Sequence, residues 1–492
     1  MVQKSYLPEK TKRPKYQIMK LYRPARYQLP LIFALTMLSA CVGFHPAPER
    51  APVDLPENFS IAGKQPNPVL WWHSFNDKEL NQLIKRALRD NMDLKSVWER
   101  TLEARAVAKQ AGAELYPWLD ISGGASHNTG RDQSKYFNQD TLSLEAMASY
   151  EVDLWGRIRK RKEAAMLDLA ATEADLDTAR ITISSEVGLT YFQIQAIGQQ
   201  LDIIARQIKD NQTSLDIISS MYEFGQTDIL DTLQQKQALE STRAQWIKKN
   251  MDMRVLRNQL AVLLGIPPQD LKVDIKKRLP PIPPLPDTGL PIKLINRRPD
   301  CRSAFLRLRA ANARLAQAVA EQYPRLSLTA SAETDASRVN DLFENWIATI
   351  AANLLTPVFR GGSLEAEVEK REAAARQALF HYGSVVLNAL REVEDALAKE
   401  AQQRRLLKNM EQRLQLSKSS LEQVKNQYEA GTVEFLRFLA TELNKDSLEI
   451  KMIDEKLRLI EYRIALYRAL AGHLPRTGIF PSAIDATQGY KR

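Results

Sequence analysis

The sequence predicts a mainly α-helical chain with a small membrane β part, in which long coiled-coil helices form a shaft and four strands per chain contribute to a shared barrel. Three observations predict it. The chain repeats itself at a spacing of 206–207 residues. Glu114-Leu-Tyr116-Pro117 returns as Glu321-Gln-Tyr323-Pro324, Met221-Tyr222-Glu223-Phe224-Gly225 as Gln427-Tyr428-Glu429-Ala430-Gly431, and Leu263-Leu264-Gly265 as Leu470-Ala471-Gly472. Each half holds a long stretch without proline, Arg157 to Tyr222 and Leu364 to Glu429, dominated by helix formers. At ~1.5 Å per residue such a helix is roughly 100 Å long. Finally, Leu142–Leu154 alternates strictly, with Leu, Ala, Tyr and Val on one face and Ser143, Glu145, Ser149, Glu151 and Asp153 on the other, as a strand between lipid and water must.

Residues 1–40 form a leader. A basic start from Lys20 to Arg26 precedes an apolar run, Leu29 to Leu38, too short to span a bilayer and suited to a signal-peptide core. Met19, directly before it, is the expected functional start, which makes residues 1–18 a dispensable extension. The run ends Leu38-Ser39-Ala40-Cys41, which resembles a bacterial lipobox, and that resemblance makes Cys41 the lipidated N-terminus of the mature protein. Residues 41–70 hold six prolines and are expected to be extended rather than a domain.

The first repeat occupies residues 71–265 as helix, two strands, long helix and helix, and the second occupies 299–473 in the same order. Their shorter helices, Asp228–Leu264 and Pro299–Tyr323, measure roughly 55 Å and 37 Å, so two of them fit end to end along one long helix. Residues 266–298 lie between the repeats. They are rich in proline, which stops a helix, so this equatorial segment must leave the shaft and wrap outside it. Residues 474–492 form a tail. The long helix carries a seven-residue apolar repeat through Val187, Ile194, Leu201, Ile208, Leu215 and Tyr222. A second row, Leu169, Leu176, Ile183, Ile197 and Ile204, is interrupted by Thr190 and later Asn211. A period of seven implies left-handed coiled-coil packing.

Shorter strands are expected at Leu119–Ser126 and Leu326–Glu333, with a weakly alternating one at Asn345–Phe359. Four strands cannot close a barrel. An unclosed edge in lipid leaves backbone groups unsatisfied at several kcal/mol each, so several copies must share one barrel.

Composition sets other classes aside. The net charge is +10, but residues 1–40 hold eight Lys or Arg against Glu9 alone, so the body is nearly balanced and nucleic acid is an unsuitable partner. Mean hydropathy of −0.36 excludes a polytopic helical membrane protein. Two cysteines make no disulfide framework, and Cys301 is expected to be a packed small residue. The five histidines lie far apart with no metal-ligand spacing, and there is no phosphate loop and no nucleophile elbow. An enzyme is therefore not expected, nor any metal or cofactor beyond the lipid on Cys41.

Tyr222-Glu-Phe-Gly225-Gln-Thr-Asp-Ile-Leu-Asp231 and Tyr428-Glu-Ala-Gly431-Thr-Val-Glu-Phe-Leu-Arg437 resemble the two helical-hairpin tips of TolC-like outer-membrane efflux ducts. The lipobox and Leu70-Trp-Trp-His-Ser-Phe-Asn-Asp77 resemble the lipoprotein branch of that family, the NodT/OprM type, and Trp155-Gly156-Arg157 with Phe359-Arg-Gly-Gly362 also fit it. The resemblance spans nearly all of residues 70–475. It implies a homotrimer with one twelve-stranded barrel in the outer membrane and a helical tunnel through the periplasm. The tips would dock a periplasmic adaptor and an inner-membrane pump of the resistance-nodulation-division class. Such a duct is a passive conduit for drugs or other small toxic solutes. The competing reading is a lipid-anchored periplasmic coiled-coil adaptor or scaffold, which would carry a lipoyl-like β domain that the sequence does not display.

At the tips, Gly225 and Gly431 supply the backbone freedom a tight turn requires. By resemblance, Gly225, Gln226, Thr227, Gly431 and Thr432 become the adaptor contact. Asp228, Asp231, Tyr428, Glu434 and Arg437 are the candidate gate. Arg437 and Ala440 stand where some family members carry constricting aspartates, and Val433 replaces a basic bridging residue. The opposite charges of Asp231 and Arg437 at equivalent repeat positions lead to the expectation that Asp231 or Asp228 pairs with Arg437 on a neighbouring helix.

Overall fold

In the computed structural model the described residues are 45–63, 68–133, 135–273, 275–276, 278–470 and 474. The leader, Met19 and Cys41 lie outside them. The chain divides into Met1–His45 and Pro46–Arg492, and the second unit is the one described here.

Its elements run α1 (Lys78–Asp90), α2 (Met92–Ala113), β1 (Trp118–Asp132), β2 (Lys135–Val152), α3 (Arg157–Glu223), α4 (Ile229–Leu263), α5 (Pro291–Arg297), α6 (Pro299–Ala320), β3 (Arg325–Ala336), β4 (Trp346–Leu355), α7 (Ser363–Glu429) and α8 (Phe435–Leu470). Both long helices have 67 residues, about 100 Å each. Both open on a left-handed glycine, Gly156 and Gly362, just after the sheet. No described helix is long and apolar enough to cross a membrane.

The shorter helices stack along the long ones as their lengths required. Asn91, at the start of α2, donates its Nδ2 to Leu263 O at the end of α4, 3.0 Å away. Arg298, at the start of α6, donates Nη1 to Ala469 O at the end of α8, 3.1 Å away. Towards the sheet, α6 lies between α3 and α7; towards the hairpin tips α8 takes that place, and α4 packs on the other side of α3. The lower shaft is thus a row, α4–α3–α8–α7, with α4 and α7 at its edges.

The core is densest where these stacks meet. Trp71, Trp72 and Phe75 insert between α3 and α8, against Tyr191, Phe192 and Tyr467. Gly188 of α3 makes room for them, since a Cβ there would lie 2.6 Å from Trp71 Cη2. Tyr191 donates its hydroxyl to Asp77 Oδ2 at 2.8 Å, while Asp77 Oδ1 caps α1 by accepting from the backbone N–H groups of Glu79 and Leu80. The proline-rich segment lies against the shaft and is pinned by Arg463, which is fully buried. That guanidinium donates to Pro284 O at 2.7 Å and to both carboxylate oxygens of Glu400, at 2.5 and 2.9 Å. The segment 45–63 has no helix or strand and is tied to α6 by Asn312, which exchanges two hydrogen bonds with the backbone of Ala47.

The four strands form one antiparallel sheet in the order β1-β2-β3-β4. Its register turns the alternation of single strands into a surface. Leu119, Ile121, Leu142, Leu144, Ala146, Ala148, Leu326, Leu328, Ala330, Ala332, Trp346, Ile350 and Leu354 share one face. The opposite face carries Asp120, Ser122, Ser143, Glu145, Ser149, Ser327, Thr329, Ser331, Glu333 and Asp335. Aromatic residues gather at both ends of the apolar face, Tyr116, Trp155 and Tyr323 next to the helices and Phe343 and Trp346 at the far end. They mark the two interfaces of a membrane band.

Strand lengths depart from the sequence reading. β1 continues from the expected Ser126 to Asp132, and β2 begins at Lys135 rather than Leu142. The extra residues form a polar hairpin ribbon whose two faces both meet water, so alternation could not reveal it. β2 stops at Val152, because Asp153 turns away to accept from the N–H groups of Ile158 and Arg159 at the start of α3. β4 stops at Leu355 rather than Phe359, since Pro357 cannot donate to the ladder.

Candidate functional site

Both hairpin tips are closed by the same backbone device. After α3, Gly225 N–H donates to Tyr222 O and Gln226 N–H to Met221 O; after α7, Gly431 N–H donates to Tyr428 O and Thr432 N–H to Gln427 O. These paired bonds are Schellman turns, and both glycines sit at positive φ, 69° and 68°. Gly225, Gln226, Gly431 and Thr432 are exposed, and Thr227 is half-buried, so the tips offer backbone and small polar groups to solvent.

The candidate gate residues are brought together only in part. Asp228 is exposed and caps α4 through Leu230 N–H at 3.1 Å. Asp231, half-buried, accepts from the Thr227 hydroxyl at 2.5 Å. Tyr428 stacks on Phe438, with ring centroids 5.6 Å apart, and packs against Phe435. Burial, and secondarily the charge of Asp231, push the Tyr428 phenol upward, which brings Asp231 and Tyr428 into one electrostatic environment across the two hairpins. Glu434, just before α8, and Arg437, on it, are exposed. Among the described residues Arg437 forms no ion pair within its own chain, so the expected Asp231–Arg437 or Asp228–Arg437 contact is not an intrachain one.

Sequence reasoning missed what joins the hairpins. Ile218 and Ala238 of the first pack on Phe435 and Leu439 of the second, with Tyr428 and Phe438 around them. The spacing Phe435, Phe438, Leu439 is a helical apolar face and was open to detection as such. Above this cluster the α3–α8 seam packs Ala196 and Ile203 on Ile453 and adds polar contacts among them. Gln193 donates to Glu461 at 3.0 Å, Gln200 to Asp454 at 2.6 Å, and Gln207 to the backbone oxygen of Asp446 at 3.3 Å.

A duplicated shaft with tight tips and a sheet apolar on one face and acidic on the other is the geometry of a wall around water. The family pattern described as outer membrane efflux protein matches residues 83–266 and 290–472. The chain belongs to the outer membrane efflux protein family. Similar to it is the pyoverdine export outer membrane protein OpmQ of Pseudomonas aeruginosa, 31% identical over 461 residues, covering 90% of this chain and 96% of that one. The outer membrane protein OprJ of the same species is 29% identical, covering 92% and 96%. Among solved structures, the outer-membrane channel OprN aligns with a TM-score of 0.81 at 26% identity, covering 88% of this chain and 100% of that one. The open state of the Neisseria gonorrhoeae MtrE channel aligns with a TM-score of 0.77 at 25% identity, covering 88% and 98%. This efflux protein is accordingly an outer-membrane channel whose sheet contributes to a β-barrel and whose helical shaft extends into the periplasm.

Proposed function

We propose that three copies of this efflux protein build one duct, the exit stage of a tripartite efflux system. An inner-membrane pump of the resistance-nodulation-division class supplies the energy, and a periplasmic adaptor seats on the tips at Gly225–Thr227 and Gly431–Thr432. The observation that carries this reading is that one chain is open at both edges. β1 and β4 each leave a ladder unpaired beside an apolar sheet face, a costly arrangement in lipid. In the shaft, the edge helices expose apolar stripes, Ile247, Met251 and Val255 on α4 and Phe380, Leu387 and Leu416 on α7. Joining the right edge of one copy to the left edge of the next satisfies sheet and shaft together, and twelve strands close the barrel.

Cys41 is the proposed lipid site. Asn312, which holds Ala47, lies about 12 Å before the end of α6, and six extended residues span up to ~20 Å, enough chain to reach the foot of the sheet. Purified from membranes, the protein should run as a trimer in SDS without boiling and collapse to a single-chain band on heating. Its intact mass should begin at a diacylated Cys41. A single-chain species in mild detergent rejects the shared duct.

A further inference from the structure

The two hairpins of one chain, α3–α4 and α7–α8, touch chiefly along the α3–α8 seam. Any relative movement of the tips must therefore take place there. Two carboxylates lie in that seam about three turns above the tip. Asp446 is 9% exposed, and Glu442, one turn nearer the tip, buries its Oε2. Among the described residues Glu442 Oε2 accepts no hydrogen bond. Asp446 Oδ1 has only the Lys445 ammonium beside it at 2.5 Å, and that ammonium is shared with Glu449 at 3.9 Å. From α3, Asp210 faces both acids; from α7, Lys425 faces Glu442, and Lys418 is held by Glu449 at 3.6 Å. Three acids, Asp210, Glu442 and Asp446, thus crowd one side of a contact that a single lysine serves closely.

We infer that Glu442 and Asp446 form a proton-operated latch: protonated, they let α8 close on α3 and hold the tips shut; ionised, they loosen the seam. The gating consequence rests on the reading of the tips as the duct's constriction. Burial first, then neighbouring acids, hold the Glu442 carboxyl above its ordinary range, and burial does the same for Asp446 against the pull of Lys445. A carboxyl raised in the packed state favours packing fully below the ordinary carboxylate value of about 4, and loses that contribution as pH rises through the raised value. Against the cost of burial, Asp446 and Glu449 hold the Lys445 ammonium above its ordinary range, so it stays charged throughout. Acidification therefore tightens the seam.

The test places spin labels at Gln226→Cys and Thr432→Cys in the full-length trimer in lipid nanodiscs; Cys301 is buried and stays unlabelled. Between neutral and mildly acidic pH the tip-to-tip distance should shorten. Glu442→Gln alone, and Glu442→Gln with Asp446→Asn, should lose that shift and hold the short distance at both pH values. Glu422→Gln, an exposed acid on α7, should keep it. A distance indifferent to pH in the unsubstituted seam overturns the latch, as does a full shift in the doubly substituted protein. Single-channel conductance in planar bilayers separates the two ideas. If distance responds and conductance does not, the latch stands and the tip is not the constriction.

Discussion

Arg463 shows how one buried charge can fix a stretch of chain, residues 279–285, that has no helix or strand of its own. Its prolines have no N–H to extend a helix or sheet ladder, and two of its carbonyls, on Pro283 and Pro284, take the Arg463 guanidinium instead. The same group neutralises Glu400, whose side chain is 3% exposed. Replacing Arg463 by Met leaves Glu400 buried with only the more exposed Arg404 beside it. Denaturant unfolding should show a loss of about 3–5 kcal/mol, and adding Glu400→Gln should recover much of it. At the tip, Arg437 is exposed and forms no ion pair among the described residues, whereas Asp231 is half-buried. If Arg437 meets an acid of an adjacent copy, Arg437→Asp should raise single-channel conductance; unchanged conductance removes Arg437 from the gate. The Arg463–Glu400 partnership is not legible in sequence, because it joins residues 63 apart along the chain, whereas opposite charge at equivalent repeat positions already pointed to Arg437 and Asp231.

At the scale of elements, hydrophobic periodicity and proline placement gave the long helices to within a residue. The heptad rows describe packing near the equator, where Val187, Ile194 and Ile204 are buried, and fade towards the tip, where Leu215 is half-buried and Tyr222 exposed. The interruptions are contacts. Asn211 is 1% exposed, donates to the Thr242 hydroxyl at 3.3 Å and accepts from Gln235 at 3.0 Å, so a polar residue in an apolar row fixes the alignment of α3 with α4. The sheet was legible where one face is apolar and illegible where it leaves the membrane band as a polar ribbon. Its faces make a paired prediction. Ala330→Arg, on the apolar face, should cost about 2–4 kcal/mol in refolding into lipid vesicles, whereas Ser331→Arg, one residue away on the acidic face, should be tolerated. Equal penalties would mean that the assignment of faces is wrong.

At the scale of the whole molecule, two repeats give one chain two hairpins and four strands, and both the sheet and the shaft end in unsatisfied edges. In the proposed trimer one rotation joins both pairs of edges. Met251→Glu with Val255→Glu places charge on the exposed α4 stripe without touching the intrachain core. The protomer should keep its helical circular dichroism while the heat-modifiable trimer band and export are lost; a persisting trimer would show that α4 does not lie between copies.

What the sequence by itself determined is what local chemistry controls: the duplication, the helix spans between prolines, the glycine turns, and the alternation of membrane strands. These follow from backbone freedom and side-chain period, which are properties of neighbouring residues. Only the tertiary structure decided which short helix stacks on which long one, that Trp71 lies over Gly188, and that buried Gln, Glu and Asp side chains sit among the apolar contacts of the seam between hairpins. Those depend on register between segments up to hundreds of residues apart, where burial turns an ordinary Gln, Asn or Glu into a contact whose partner no local pattern names.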